Sequence, residues 1–368
     1  MECTFKTSCF LDQRFTVGEL GKLHPFDRFN LRPLVCLLIL VCVAIHQAPL
    51  AAQDRVTVKD PRTGKNSQFD ALVLDWDAER LLYKGNDRER TMPSSRVIDV
   101  AYPRTPKHLE ADQQREAGQF LQALQSYKNA LSEEPRAWVK VELLAGQLKC
   151  ALALNRQRDA LAAFFAIQQA TPNSRYFHLL PLPWHKARVD GGLVSTYRDW
   201  LSEENELRKL IAASWLLKSD EAVAGKALKA LAQSADAKIA HLATAQAWRP
   251  QMVATTTADL LRWEAALGRM PPKFQAGPRF LIALAKRRAN RQGTEDTFNQ
   301  ALVGMLQIPI LFPEDYQIAG AALLEAHEML VTAGREQEAK IVLAELKRDY
   351  ALSNAALSLG ARIETMDQ

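Results

Sequence analysis

Two histidines seven residues apart, His178 and His185, stand in the run Tyr176-Phe177-His178-Leu179-Leu180-Pro181-Leu182-Pro183-Trp184-His185. Imidazoles can ligate metals or move protons, but a zinc-type site wants three or four ligands. No cysteine lies nearby and Asp190 is the one close carboxylate, so the pattern reads as an ordered interhelical loop whose apolar content suits a partner contact. His241 and His327 fall inside helical patterns and read as packing or surface residues. The basic run Lys286-Arg287-Arg288, followed by Arg291, ends a predicted helix, where positive charge complements the helix dipole. The acidic pairs Glu133-Glu134 and Glu203-Glu204 sit at helix ends and read as solvated charge. No His-Glu-x-x-His, Gly-x-Ser-x-Gly, Walker loop, Cys-x-x-Cys or dinucleotide glycine fingerprint is present. The expectation is no catalytic, cofactor-binding or metal residues, and a protein that is not an enzyme.

Composition sets the frame for those residues. The chain has 368 residues, 48% hydrophobic and 24% charged, which is ordinary for a folded domain and argues against disorder or a polytopic membrane protein. Sixteen glycines and five cysteines exclude collagen-like and disulfide-dense scaffolds. A net charge of +5 over this length leaves no electrostatic footprint for nucleic acid.

The N-terminus reads as a targeting segment over residues 1–52. Leu34 to Ile45 is an uncharged apolar run, preceded by Arg28 and Arg32 and followed by the small-residue exit Ala48-Pro49-Leu50-Ala51-Ala52. The run is shorter than the ~20 residues of a spanning helix, so a signal peptide cut near Ala52 is expected, with a single-pass inner-membrane anchor as the alternative. The stretch before Arg28 is long for an n-region, which leaves the start site open. Cleavage would remove Cys3, Cys9, Cys36 and Cys42 and leave Cys150 alone, a small buried hydrophobe in a helical pattern. The expected location is the periplasm or cell envelope.

Period-two patterning follows over residues 54–103. Arg55 to Lys59, Gln68 to Trp76, Arg80 to Lys84, Glu89 to Met92 and Val97 to Tyr102 read as five short strands joined by turns, a small antiparallel barrel. Their order resembles bacterial SH3-like barrels, with the turn at Pro93-Ser94-Ser95 separating the last two strands. Trp76 and Tyr83 are read as core packing or as recognition aromatics, and ligand binding by the module is left open.

From about Lys107 the period becomes 3.6. Gly118, Ala123, Tyr127, Ala130 and Pro135 are spaced as in the second half of a tetratricopeptide repeat, and the segment resembles that family. The spacing recurs as Asn155, Ala160, Phe164, Ile167 and Pro172, and again as Gly334, Ala339, Leu343 and Leu346, with Ala351 where proline would stand. Each set suits a helical hairpin: a left-handed residue for the turn, small residues for close approach, a large one to fill the gap. Residues 105–172 are thus two repeats, 173–270 degenerate helical repeats, 271–352 C-terminal repeats and 353–368 a tail. Pro271-Pro272 and Gly277-Pro278 read as a loop, and Ile308 to Pro313 as an apolar linker.

The expected fold is mostly α, an α-hairpin solenoid of tetratricopeptide-like or HEAT-like type behind the β module. The resemblance implies a superhelix with a concave groove that binds extended peptides or helices. The expected function is non-catalytic protein–protein interaction or scaffolding in the bacterial envelope, with a protein partner, no nucleic acid, and membrane contact only through an uncleaved N-terminus. The alternatives are an enzyme with a site at the β–α junction or a purely structural assembly component.

Overall fold

The computed structural model describes residues 53–185, 189–252, 254–289 and 295–359. The targeting reading of residues 1–52, the charge at Arg291 and the tail from residue 360 lie outside the described residues. Among the described residues no helix is long and apolar enough to cross a membrane.

Five strands come first: β1 (Asp54–Lys59), β2 (Asn66–Trp76), β3 (Arg80–Gly85), β4 (Arg88–Pro93) and β5 (Val97–Ala101). They form one antiparallel sheet in the order β4-β3-β2-β1-β5, with a single 3-10 turn, Ser94–Arg96, between β4 and β5. Strand alternation turns Val56, Val58, Val73, Leu81 and Val100 to one buried face. The sheet is open, which corrects the closed barrel expected from the strand count: β4 and β5 are its two edges. The physical reason is visible in β4, whose Arg88, Glu89, Arg90 and Thr91 are all exposed and supply nothing to fill a barrel interior. A helix covers the apolar face instead, through Trp138 and Val139.

The rest is helical: α1 (Pro106–Glu116), α2 (Phe120–Glu133), α3 (Ala137–Ala153), α4 (Gln157–Ala170), α5 (Val194–Ser202), α6 (Glu206–Leu216), α7 (Glu221–Leu231), α8 (Ala237–Gln246), α9 (Trp248–Gln251), α10 (Thr257–Arg269), α11 (Ala276–Ala289), α12 (Glu295–Leu311), α13 (Tyr316–Thr332) and α14 (Glu336–Asp349). Three corners share one chemistry. Gly118, Asn155 and Gly334 have φ of 72°, 52° and 72°. After each, an amide reaches back five residues to a carbonyl: Gln119 to Gln114 at 2.8 Å, Arg156 to Ala151 at 2.8 Å, Arg335 to Leu330 at 2.9 Å. This is the Schellman ending, which satisfies orphan carbonyls and turns the chain into an antiparallel partner.

Two prolines correct the expected boundaries. Gly277-Pro278 lies inside the first turn of α11, where proline's missing N–H costs nothing. Pro309 lies inside α12, two residues before its end at Leu311, so Ile308 to Leu311 is helix and not linker.

Neighbouring hairpins pack in sequence, but the C-terminal pair also returns to the first ones. Gln317 Nε2 donates to the Ala153 carbonyl at 2.6 Å, Lys149 Nζ lies 2.6 Å from Glu314 Oε2, and Phe120 meets Tyr316 edge-on at 4.8 Å. One apolar core runs from Val141 to Ala355. The chain's own segment Tyr176 to Trp184 contributes six of its side chains to that core.

Candidate functional site

The central segment begins where α4 ends. The Asn173 carbonyl accepts from Ala78 N at 2.9 Å, and the Arg175 guanidinium lies 3.5 Å over the Trp76 ring, so the segment is anchored to the sheet. Arg175 and the Tyr176 hydroxyl both donate to the Glu142 carboxylate on α3. One 3-10 turn, Phe177–Leu179, follows, with His178 Nδ1 3.1 Å from the Arg175 carbonyl.

From Leu180 to Trp184 the chain is irregular and buried at every residue. Irregular backbone in an interior must have its polar groups satisfied. Pro181 and Pro183 solve half of that problem, because proline has no N–H to bury. Their carbonyls solve the rest: Trp215 Nε1 on α6 donates to Pro181 O at 2.9 Å, and Gln246 Nε2 on α8 to Pro183 O at 3.3 Å. The Trp184 ring lies against bare backbone at Gly277, where a Cβ would stand 2.0 Å from Cδ2.

Beside this segment is a cleft of about 90 Å³. Its walls come from the α3–α4 corner, the segment itself, Trp215 and the α13 N-terminus at Glu314 to Ile318. A smaller space of about 20 Å³ adjoins it and shares His178, Trp184 and Asp315, adding Lys273.

The cleft's charges are unevenly matched. Burial works to raise the Glu314 carboxyl, but Lys149 beside it holds it below the ordinary range. Arg156 Nη1 lies 3.7 Å from Asp159. Asp315 has no such partner among the described residues: no hydrogen bond or ion pair from them reaches its carboxylate, and burial, with the Glu314 charge, pushes it up to about 7 against the pull of Lys149. It is the N-cap residue of α13 and yet makes no side-chain cap bond. Burial pulls His178 down to about 4, with Lys273 and Lys149 adding to the effect. Burial likewise pulls His185 to about 4, with Arg249 adding, and neither ring nitrogen of His185 has a hydrogen-bond partner.

The structure thus brings His178 and His185 to one cleft, and sends Asp190 elsewhere. The Asp190 carboxylate accepts from Gly192 N at 2.9 Å and pairs with Arg158 at 2.9 Å on the surface. Among the described residues no group of three or more histidines, cysteines or carboxylates is close enough to hold a metal. Sequence reasoning missed Asp315, whose only local signal is that of a helix start.

The other residues singled out have local occupations. Ala123, Tyr127 and Ala130 on α2, Ala160 and Phe164 on α4, and Ala339 and Leu346 on α14 are buried; Leu343 is partly buried, and Pro135 and Pro172 are exposed just beyond their helices. Lys286 lies 2.6 Å from Glu264, and Arg287 pairs with Glu325 and Glu328. The Trp76 indole donates to Ser94 Oγ at 2.9 Å, and Tyr83 packs on Phe69 with ring centroids 5.2 Å apart. Glu134, expected in solvent, is buried and takes the Arg136 guanidinium at 2.7 Å. That pair lies at the β–α junction. There Arg136 also comes within 3.7 Å of the buried Asp54, while Tyr102 packs edge-on to Trp138 at 4.7 Å. Cys150 is buried on α3, and burial pushes its thiol up to about 12.

No protein family, curated protein or solved structure matches this chain.

Proposed function

We propose that the chain is a non-catalytic binding protein of the cell envelope that takes one residue of a partner segment into the cleft beside Tyr176 to His185. The helical hairpins are read as tetratricopeptide-like on the strength of the three Schellman corners, and the sheet as SH3-like in strand order, though open. The chain's own irregular segment Leu180 to Trp184 is buried, so binding falls to the cleft beside it. The observation that carries the reading is the cleft itself, with two indoles, a bare imidazole and an unpaired carboxyl in its walls. Its size sets the scale of the ligand. About 90 Å³ admits about six waters at ~15 Å³ each, and therefore one amino-acid-sized group rather than a folded partner.

Trp184 and Trp215 report on the site. Titrating the full chain with a library of short peptides should give a saturable change in tryptophan emission, with the peptides recovered unaltered by mass spectrometry. Leu152→Phe, which narrows the cleft from α3, should weaken that binding. A peptide consumed in multiple turnovers, or no saturable response from any member, overturns the reading.

A further inference from the structure

We propose that the cleft is a subsite for an organic ammonium group, a protonated primary amine held on the Asp315 carboxylate. This deepens the binding reading above and rests on it.

Three independent observations meet at that residue. The first is charge matching. Of the charged side chains in the cleft wall, Lys149 is taken by Glu314 at 2.6 Å and Arg156 faces Asp159 at 3.7 Å, which leaves Asp315, among the described residues, as the carboxylate without an ion pair, although the Lys149 charge acts on it. A carboxylate partly withdrawn from water is costly unless something positive meets it. The second is a local rule that the chain breaks. Aspartate is a favoured N-cap because its side chain accepts from the first turn's amides. Asp315 occupies that position on α13 and forgoes the bond, while its side chain lines both the larger cleft and the smaller space behind it. Departures from local consistency of this kind concentrate at functional sites. The third is the nature of the remaining walls. Trp184, Trp215 and Tyr316 line the same cleft, and aromatic side chains beside a carboxylate without an ion pair suit an ammonium group rather than an anion.

The amine has two natural sources in a partner chain, a lysine side chain and a free chain N-terminus. The raised carboxyl adds a pH signature. Among the described residues, the titratable and charged groups that share the cleft or the adjoining space with Asp315 are Glu314 on its own corner, Lys149 on α3, Arg156 at the α4 corner, His178 and His185 on the central segment, and Lys273 before α11. Of the acids among these, Glu314 stays ionised below neutrality, and the two imidazoles are neutral down to about 4, so Asp315 is the group that changes charge between pH 5.5 and 8. Its ionised fraction falls about 30-fold over that interval, and affinity for an ammonium ion should fall with it.

The test is calorimetric titration of the full chain at pH 8 with three probes. These are n-butylammonium, Nα-acetyl-lysine amide and leucyl-leucine amide; their neutral counterparts are butanol, Nα-acetyl-norleucine amide and acetyl-leucyl-leucine amide. The amines should bind at least 10-fold more tightly than the counterparts, weaken about 30-fold at pH 5.5, and lose that advantage in Asp315→Asn and Asp315→Ser, both checked for folding by circular dichroism. Whichever of the lysine and N-terminal probes binds better, after allowing for the α-amine's being only about half protonated at pH 8, names the source. Counterparts that bind as well as the amines, or variants that bind amines as wild type does, overturn the ammonium site while leaving peptide binding standing. Amines that fail to bind at millimolar concentration overturn it too, and the peptide titration then decides the binding reading separately.

Discussion

Replacing Asp315 with asparagine should stabilise the protein at pH 8 and leave it nearly unchanged at pH 4. The carboxyl titrates at about 7 in the fold against 3.8 in the open chain, because burial disfavours its charged form. Between those values the folded state holds a proton that the unfolded state has released. Stability contributed by the neutral acid is therefore present at low pH and lost as pH rises toward 7. About three pKa units at ~1.4 kcal/mol each set an upper bound of about 4 kcal/mol. Asp315 is only partly buried and faces the cleft, so water relieves some of this cost, and about 2 kcal/mol is the expected gain. Asparagine keeps the shape and is never charged. Urea unfolding followed by tryptophan emission should separate the two proteins by that amount at pH 8 and bring them together at pH 4. A variant less stable than wild type at pH 8, or a gap of the same size at both pH values, would refute the reasoning. The first result would mean that the carboxylate has a cationic partner in the fold, the second that its ionisation contributes nothing to the difference.

Two further tests address the segment beside that carboxyl. His178 and His185 both titrate near 4 in the fold against 6.5 in the open chain, so the stability of their neutral forms is present above 6.5 and lost as pH falls toward 4. His185→Leu should flatten the acid limb of a profile of unfolding free energy against pH, taken from pH 7 to 4.5, by up to ~3 kcal/mol, and an unchanged limb would count against a buried, unpaired imidazole. Gly277→Ala should destabilise by about 1–3 kcal/mol in chemical denaturation, although alanine favours helices, because the added methyl meets the Trp184 ring; a more stable variant would show that the indole does not rest there.

What could be read in advance follows the range of the interaction responsible. Gly118, Asn155 and Gly334 were legible as hairpin corners because a left-handed residue between two amphipathic helices is a local requirement. Strand positions were legible to within about two residues for the same reason. Pro278 misled because a proline in a first turn forgoes no helical bond, whereas Pro309 does forgo one and is carried in a helix that ends two residues later. The open sheet was not legible, since Trp138 and Val139 cover its face from a different element. His178 and His185 stood out as a pair, but nothing in the run around them points to Asp315. That residue reaches the cleft only because α13 docks on α3, a contact between residues 165 apart, such as Lys149 and Glu314.

That docking also imposes an order on biosynthesis. The half of the site carried by Lys149 leaves the ribosome well before the half carried by Glu314, with 165 residues between them. At ordinary elongation rates of ~5–20 residues per second, that is a delay on the order of 10–30 s. Throughout that interval Phe120 and the Ala153 carbonyl await the helix that will cover them, so the nascent chain carries an uncapped apolar face and no binding site. Arrested or truncated products should therefore be the species that chaperones hold and proteases remove.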